Sequence, residues 1–167
     1  MIIGICGHKG SGKDYLGAIL REYTGFKIVH FADPLKEMIA YLLNISIDEL
    51  NDLKNHEDRK ICNTNMRSIL QKFGTEIMQK HCGKDFWVKQ ALTQDNIIIP
   101  DVRFKHEIDA ISERGALLIK LLGGKTDSHL SDTELDEIDN SKFDFVYDNT
   151  HKDTGILDFA YKVSKHV

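Results

Sequence analysis

The sequence has few cysteines, no long apolar run and no surplus of positive charge, and each shortage removes a class of protein. Among its 167 residues only Cys6, Cys62 and Cys82 are cysteines. An odd count without paired ligand spacing argues against a disulfide scaffold and a zinc site, so all three read as reduced thiols. No apolar run approaches the roughly 18 residues of a membrane-spanning helix. No basic stretch precedes an apolar one at the start, so no secretory leader is expected and the chain reads as cytoplasmic. Twenty-two Lys and Arg against 26 Asp and Glu give a net charge of −4, which leaves no basic field for a nucleic-acid polymer. A small anion needs only a few cations at one site, and that remains open. Repeats and low-complexity linkers are also missing. With 41% hydrophobic residues, a chain of this length can bury roughly 68–70% of its unfolded surface in one domain.

What is present is an alternation of short apolar runs and helical patterns, the signature of a parallel sheet covered by helices. Ile2–Cys6 reads as the first strand, Lys13–Tyr23 as a helix and Lys27–Phe31 as the second strand. "NIIIP" (Asn96–Pro100) is the third, with the near-continuous apolar run of a strand buried on both faces. Helix Phe104–Arg114, strand Ala116–Leu122, strand Phe143–Tyr147 and helix Thr154–Lys165 complete the chain. A helical insertion runs from Asp33 to about Gln94. Asp33 is expected to cap its first helix, with Pro34 at the first helical position, and "SIDE" (Ser46–Glu49) is a capping box. "KNHEDRK" (Lys54–Lys60) reads as a solvated loop. In P-loop phosphotransferases a helical flap after the second strand holds the phosphate acceptor.

"GHKGSGKD" (Gly7–Asp14) follows the first strand and opens a helix. Its G-x-x-x-x-G-K spacing arises in roughly one random chain of this length in twenty, so the strand–loop–helix context carries the assignment. Gly7, Gly10 and Gly12 let backbone N–H groups converge on phosphate oxygens, and Lys13 reaches the β- and γ-phosphates. The helix dipole adds to this. The ATP loop is thus Lys9, Gly10, Ser11, Gly12, Lys13, Asp14 and Tyr15. Asp14 stands where the usual motif has a hydroxyl for Mg²⁺. A carboxylate still serves that ion, directly or through water, whereas without a metal it would repel the phosphates.

Two further constellations carry chemistry. "NMRSILQKFGTEIMQK" (Asn65–Lys80) reads as one helix with Met66, Leu70, Phe73 and Ile77 on an apolar stripe. Arg67, Gln71, Gly74 and Thr75 share the adjoining face. A guanidinium fork, an amide and a gap beside a hydroxyl suit a nucleoside monophosphate, although an amphipathic helix with a wet side explains the pattern equally well. In "IIIPDVR", Asp101 directly follows a buried strand, the position of a carboxylate that holds Mg²⁺ through water. Arg103 would neutralise the transferring phosphoryl group; with Glu107, one turn on, it also reads as a helix-surface salt bridge. Trp87, the only tryptophan, reads alone as core or rim. His30, His106 and His129 show no ligand spacing.

Taken together, "GHKGSGKD", "FADPLKE", "RSILQKFGTE" with "FWVK", "IIPDVRFKHEIDAI" and "SKFDFVYDN" resemble, in order and over nearly the whole chain, the phage-type deoxynucleoside monophosphate kinases. The resemblance implies a three-layer α/β/α P-loop kinase fold with a five-stranded parallel sheet and a helical acceptor-binding insertion. It puts the core at 1–32 and 95–167 and the insertion at 33–94. It implies ATP-dependent phosphorylation of a deoxynucleoside monophosphate to its diphosphate, with ATP and Mg²⁺ as cofactors and the host cytoplasm as location if phage-encoded. Lys13, Asp14, Asp101 and Arg103 would be catalytic, with Asp14 and Asp101 toward the metal. Asp33, Lys36, Arg67, Gln71, Gly74, Thr75, Trp87, Arg103 and Glu107 would bind the acceptor. Relatives often dimerise, so a homodimer is compatible with the resemblance, although no apolar stripe singles out a partner face.

The chain departs from this family at Tyr15, where many relatives have a hydroxyl residue. It also lacks the arginine that ends the fourth strand, so Lys120 or Lys125 would have to substitute. Gly123 and Gly124 read as a hinge for a segment reaching to about Asp139. Two other readings stay open here: a phosphomevalonate-kinase-like enzyme, which "GKDY", "PLKE" and "FDFVYDN" also resemble, and a non-catalytic nucleotide-binding module. "LQKFGTE", with its base-reading glutamine, favours a nucleotide acceptor.

Overall fold

The apolar runs become the strands of one sheet. The computed structural model describes residues 1–56, 58–61, 63–124, 135–151 and 154–167 and divides into two units, Met1–His30 with Leu92–Val167, and Phe31–Ala91.

The first unit is built on β1 (Ile2–Gly7), β2 (Lys27–Ile28), β5 (Ile97–Val102), β6 (Leu117–Leu122) and β7 (Phe145–Asp148), all parallel in the order β2-β5-β1-β6-β7. Strand alternation sends Ile3 and Ile5 to one face, where they pack with Leu16 and Leu20 of α1 (Lys13–Thr24) and with Ile156, Phe159, Ala160 and Val163 of the last helix, Gly155–Ser164. Each of these side chains except Ala160 contributes roughly 1.5–3 kcal/mol by leaving water. Gly4 faces the other way. A Cβ there would stand 2.5 Å from Ile111 of helix Lys105–Ser112, so the glycine lets that helix lie close to the sheet. The result is the expected three-layer α/β/α architecture with a five-stranded parallel sheet.

Several boundaries differ from expectation. β2 stops at Ile28, although Val29 N–H still donates to Ile98 O at 2.9 Å. β5 runs on past Pro100 through Val102, so Asp101 lies inside the strand. β1 pairs Gly4 with Ile99 but Cys6 with Val102, which leaves one extra residue in β5 at Pro100–Asp101. Proline has no N–H for the ladder, and a bulge there re-aims the neighbouring side chain.

The second unit holds α2 (Asp33–Leu43), α3 (Ile47–Asn55), the hairpin β3 (Lys60–Ile61) and β4 (Thr64–Asn65), and the helical run that follows. The Ser46–Glu49 capping box forms as expected. Asp33 is not a cap: Ala32 occupies that position, and the Asp33 carboxylate pairs with Lys36 at 3.1 Å. "KNHEDRK" is only partly loop, since Lys54 and Asn55 end α3, Arg59 pairs with Asp52, and Lys60 opens β3.

The run expected as one helix has three windings, α4 (Met66–Gln71), a π-helix (Lys72–Gln79) and a last α-turn (Lys80–Cys82). Asn65 caps it by accepting from Ser68 N at 2.8 Å. Bonds of the i→i+5 type use more residues per turn than an α-helix, so the stripe drifts. Met66 is fully buried, whereas Ile77, eleven positions on, is 44% exposed.

Candidate functional site

The glycine loop leaves β1 at Gly7 and enters α1 at Lys13, at the carboxyl edge of the sheet where ligands of such folds gather. Ser11 N–H donates to His8 O at 3.1 Å, closing the turn. Lys13 is 8% exposed, and its Nζ donates to the same His8 carbonyl at 2.8 Å. Gly12 has φ 98°, a left-handed conformation that L side chains rarely adopt, and a Cβ there would meet Asn149 Nδ2 at 2.6 Å. A cleft of about 320 Å³ is lined by Gly10, Gly12, Lys13, Asp14 and Tyr15, and by Asn149 and Ile156 from the other end of the chain. Of the loop residues named from sequence, Gly10, Gly12, Lys13, Asp14 and Tyr15 line this cleft and Lys9 and Ser11 do not; Asp14 and Tyr15 are exposed and Ser11 is buried.

Asn149 did not emerge from sequence reasoning as a site residue. Its Nδ2 donates to Ser11 O at 2.8 Å, bracing the loop from just beyond β7. Its place after the fifth strand was the available signal. Gly124 presses on the same loop: a Cβ there would lie 2.7 Å from Lys9 O and 2.8 Å from Ser11 N. The glycine pair that read as a hinge also packs closely, with Gly123 against Thr150 in the same way. The segment it was expected to swing lies largely outside the described residues, as do Lys125 and His129. Lys120, one candidate for the place of the missing arginine, is held within the fold. It is 7% exposed, and its ammonium donates to the Leu135 and Ile138 carbonyls at 3.4 and 3.3 Å.

On the neighbouring strand the bulge sets Asp101 beside His30, with Oδ2 3.6 Å from Nδ1. Asp101 Oδ1 and Ser11 Oγ are buried and have no hydrogen-bond partner among the described residues. Glu107 makes a contact with the Arg103 backbone that the sequence did not suggest. Glu107 Oε2 accepts the backbone N–H of Arg103 at 2.7 Å and of Phe104 at 3.0 Å, so it pins the backbone that carries the Arg103 side chain. His106 stacks on Phe104, with ring centroids 5.5 Å apart. Burial, reinforced by Glu107, pushes the Cys6 thiol up and keeps it from acting as a thiolate.

Burial also raises the Glu107 carboxyl from 4.5 to about 7, with the Asp101 charge adding to it and the two N–H bonds opposing it. Below pH 4.5 the group is protonated whether the chain is folded or not, and its contribution to stability is fully present. As pH rises toward 7 the unfolded chain ionises first, and that contribution, at most about 3 kcal/mol, is lost. Glu107→Gln keeps an acceptor for both N–H groups but cannot ionise. Denaturant titrations at pH 5 and pH 8 are therefore expected to show a smaller loss of stability for the variant than for the wild-type protein. Equal losses would refute the assignment.

In the second unit Arg67, Gln71 and Thr75 are exposed. Gly74 is not a gap beside them: it is buried, and a Cβ there would stand 2.8 Å from Leu35. Trp87 is 8% exposed, and its indole N–H donates to Gly74 O at 3.1 Å. It supports the π-helix from within, as a core tryptophan does, and stacks edge-on against Phe86.

Among the described residues no group of three or more His, Cys, Asp or Glu can hold a metal, and no helix is long and apolar enough to cross a membrane. The fold is shared with shikimate kinase from Aquifex aeolicus, at TM-score 0.58 and 15% identity over 99% of this chain and 96% of that one. A second shikimate kinase, from Acinetobacter baumannii and solved with shikimate, matches at TM-score 0.53 and 10% identity over 97% and 89%. In sequence, a protein of Acanthamoeba polyphaga mimivirus that carries the provisional name deoxynucleotide monophosphate kinase is 28% identical over 172 residues, 89% of this chain and 88% of that protein. The family model for deoxynucleotide monophosphate kinase matches residues 45–152. Fold and family agree on a kinase-type phosphotransferase with a nucleotide-binding P-loop. The chain belongs to the deoxynucleotide monophosphate kinase family.

Proposed function

We propose that this protein moves the γ-phosphoryl group of ATP to a deoxynucleoside 5′-monophosphate, giving the diphosphate and ADP. The observation that carries the reading is the braced glycine loop with its buried Lys13, in a chain of this family. Residues 1–32 and 95–167 act as the donor-binding core and 33–94 as the acceptor-binding insertion. Lys13 holds the β- and γ-phosphates, and Arg103, its backbone fixed by Glu107, neutralises the group in flight. Arg67 grips the acceptor phosphate while Gln71 and Thr75 read the nucleoside. Gly74 and Trp87 hold the helix that presents them, and the Asp33–Lys36 pair completes the acceptor set. Little covalent work falls to the protein in such a transfer, so positioning and charge neutralisation carry the rate.

The residues fit Mg²⁺. Asp101 Oδ1 is a buried oxygen without a protein partner among the described residues, and Asp14 offers an exposed carboxylate at the first turn of α1. Asp14 and Asp101 would hold the ion with ATP phosphates completing its shell, and the ion supplies charge neutralisation at the phosphates. Turnover is expected to require Mg²⁺ strictly, and Asp14→Ala to lower kcat at saturating ATP by about tenfold. Full activity in chelator overturns this role.

The reaction itself is tested by following ADP release from ATP with each natural and modified deoxynucleoside monophosphate, and with phosphomevalonate as control. Release stimulated by the nucleotides alone is the expected result. Release that no nucleotide stimulates overturns the reading.

A further inference from the structure

The first loop position after Gly7 is held from two directions. His8 Nε2 donates to Asp136 Oδ1 at 2.8 Å, and the His8 carbonyl accepts from Ser11 N–H at 3.1 Å and from Lys13 Nζ at 2.8 Å. The ring is 13% exposed and the carboxylate 56%. Neither residue lines the 320 Å³ donor cleft. The segment that carries Asp136 is itself anchored: Lys120 donates to the carbonyls of Leu135 and Ile138, and its ammonium lies 5.3 Å from the centre of the Phe143 ring. Contacts therefore run without a break from β6 through residues 135–138 to His8 and on to Lys13.

The loop needs such an anchor. Gly10 has φ 78° and nothing within 4 Å of where a Cβ would be, so the backbone there has little to fix it. Asn149 and Gly124 hold the stretch around Ser11, and the Asp136–His8 contact holds the residue whose carbonyl receives the lysine. A carboxylate near a phosphate loop would weaken anion binding through like-charge repulsion. Its hydrogen bond to the imidazole directs that charge onto the ring.

We propose that Asp136 and His8 are positioning residues for the donor nucleotide: the carboxylate orients the imidazole, the imidazole fixes the His8 peptide, and that peptide's carbonyl sets where the Lys13 ammonium stands. This rests on Lys13 being a ligand of the ATP phosphates. It places part of the affinity for ATP in a segment that touches none of the cleft.

The test is a mutant cycle read by calorimetric titration of ATP, with acceptor turnover measured alongside. Asp136→Asn and His8→Gln are each expected to weaken ATP by about tenfold, and the double variant by the same factor, because asparagine removes the charge that orients the ring and glutamine replaces the rigid ring with a flexible amide in the same chain of contacts. The KM for the deoxynucleoside monophosphate is expected to stay at the wild-type value. In a Lys13→Met background, Asp136→Asn is expected to change ATP affinity by less than about twofold. Losses that add in the double variant, unchanged affinity in the single variants, or an undiminished Asp136→Asn effect without Lys13 each overturn the relay. A wild-type protein that binds ATP but turns over no acceptor overturns the kinase reading alone, because the titrations still judge the relay. Asp136 is exposed, so its asparagine variant is expected to fold; melting curves of both single variants check this.

Discussion

Lys13→Met is expected to lower kcat by about 10²–10³ while leaving the fold intact, an effect equivalent to roughly 3–4 kcal/mol of lost transition-state stabilisation. The lysine is 8% exposed, so its charge acts across a medium less polarisable than water, where each interaction with a phosphate oxygen is stronger. Its ammonium donates to the His8 carbonyl five residues back, so the long stem lies along the loop it serves. Methionine keeps most of that apolar stem and removes only the charged head, which separates packing from electrostatics. The melting temperature should therefore move little while turnover falls. Lys13→Arg keeps the charge but presents a planar fork in place of a compact ammonium, and is expected to recover only part of the rate. Steady-state kinetics at saturating ATP and acceptor measure this, and a kcat within fivefold of wild type would remove Lys13 from the chemistry.

Much of the framework was legible because it depends on local rules. A strand buried on both faces shows as "NIIIP", a capping box shows as "SIDE", and G-x-x-x-x-G-K between a strand and a helix marks a phosphate turn. The features that were not legible depend on distant contacts. Asn149 braces Ser11 across 138 positions of sequence, and no local spacing encodes that meeting. Lys120 was named only for its place near the end of a strand, and its contacts with the Leu135 and Ile138 carbonyls span 15 and 18 positions. Asp101 reads as following its strand because the apolar run ends at Pro100. Instead the missing N–H is absorbed by a bulge, and the strand continues. The π-winding after Gln71 has no compositional signature, so Ile77 was placed on a stripe that the extra residue per turn carries away from it.

The same π-winding bears on the acceptor. Arg67 sits in the first turn of α4, between fully buried Met66 and Ser68, whose N–H the Asn65 cap receives at 2.8 Å. Its backbone is therefore fixed just ahead of the π-helix, while the side chain is exposed on its own unit. Arg67→Ala is expected to raise the KM for the deoxynucleoside monophosphate by about 10²-fold, the cost of losing a charge-assisted, two-pronged grip on a phosphate. The affinity for ATP, measured separately by titration, should not change, because that anion is held by the glycine loop. Arg67→Lys separates charge from shape: a lysine restores the positive charge but only a single-point contact, and is expected to leave KM raised by about tenfold. An exposed position away from the core costs little stability when truncated, so both variants should melt within a few degrees of wild type. If the alanine variant instead keeps its acceptor KM, the phosphate lies elsewhere, and Gln71 and Thr75 lose their roles with it, since all three were read from one helical face.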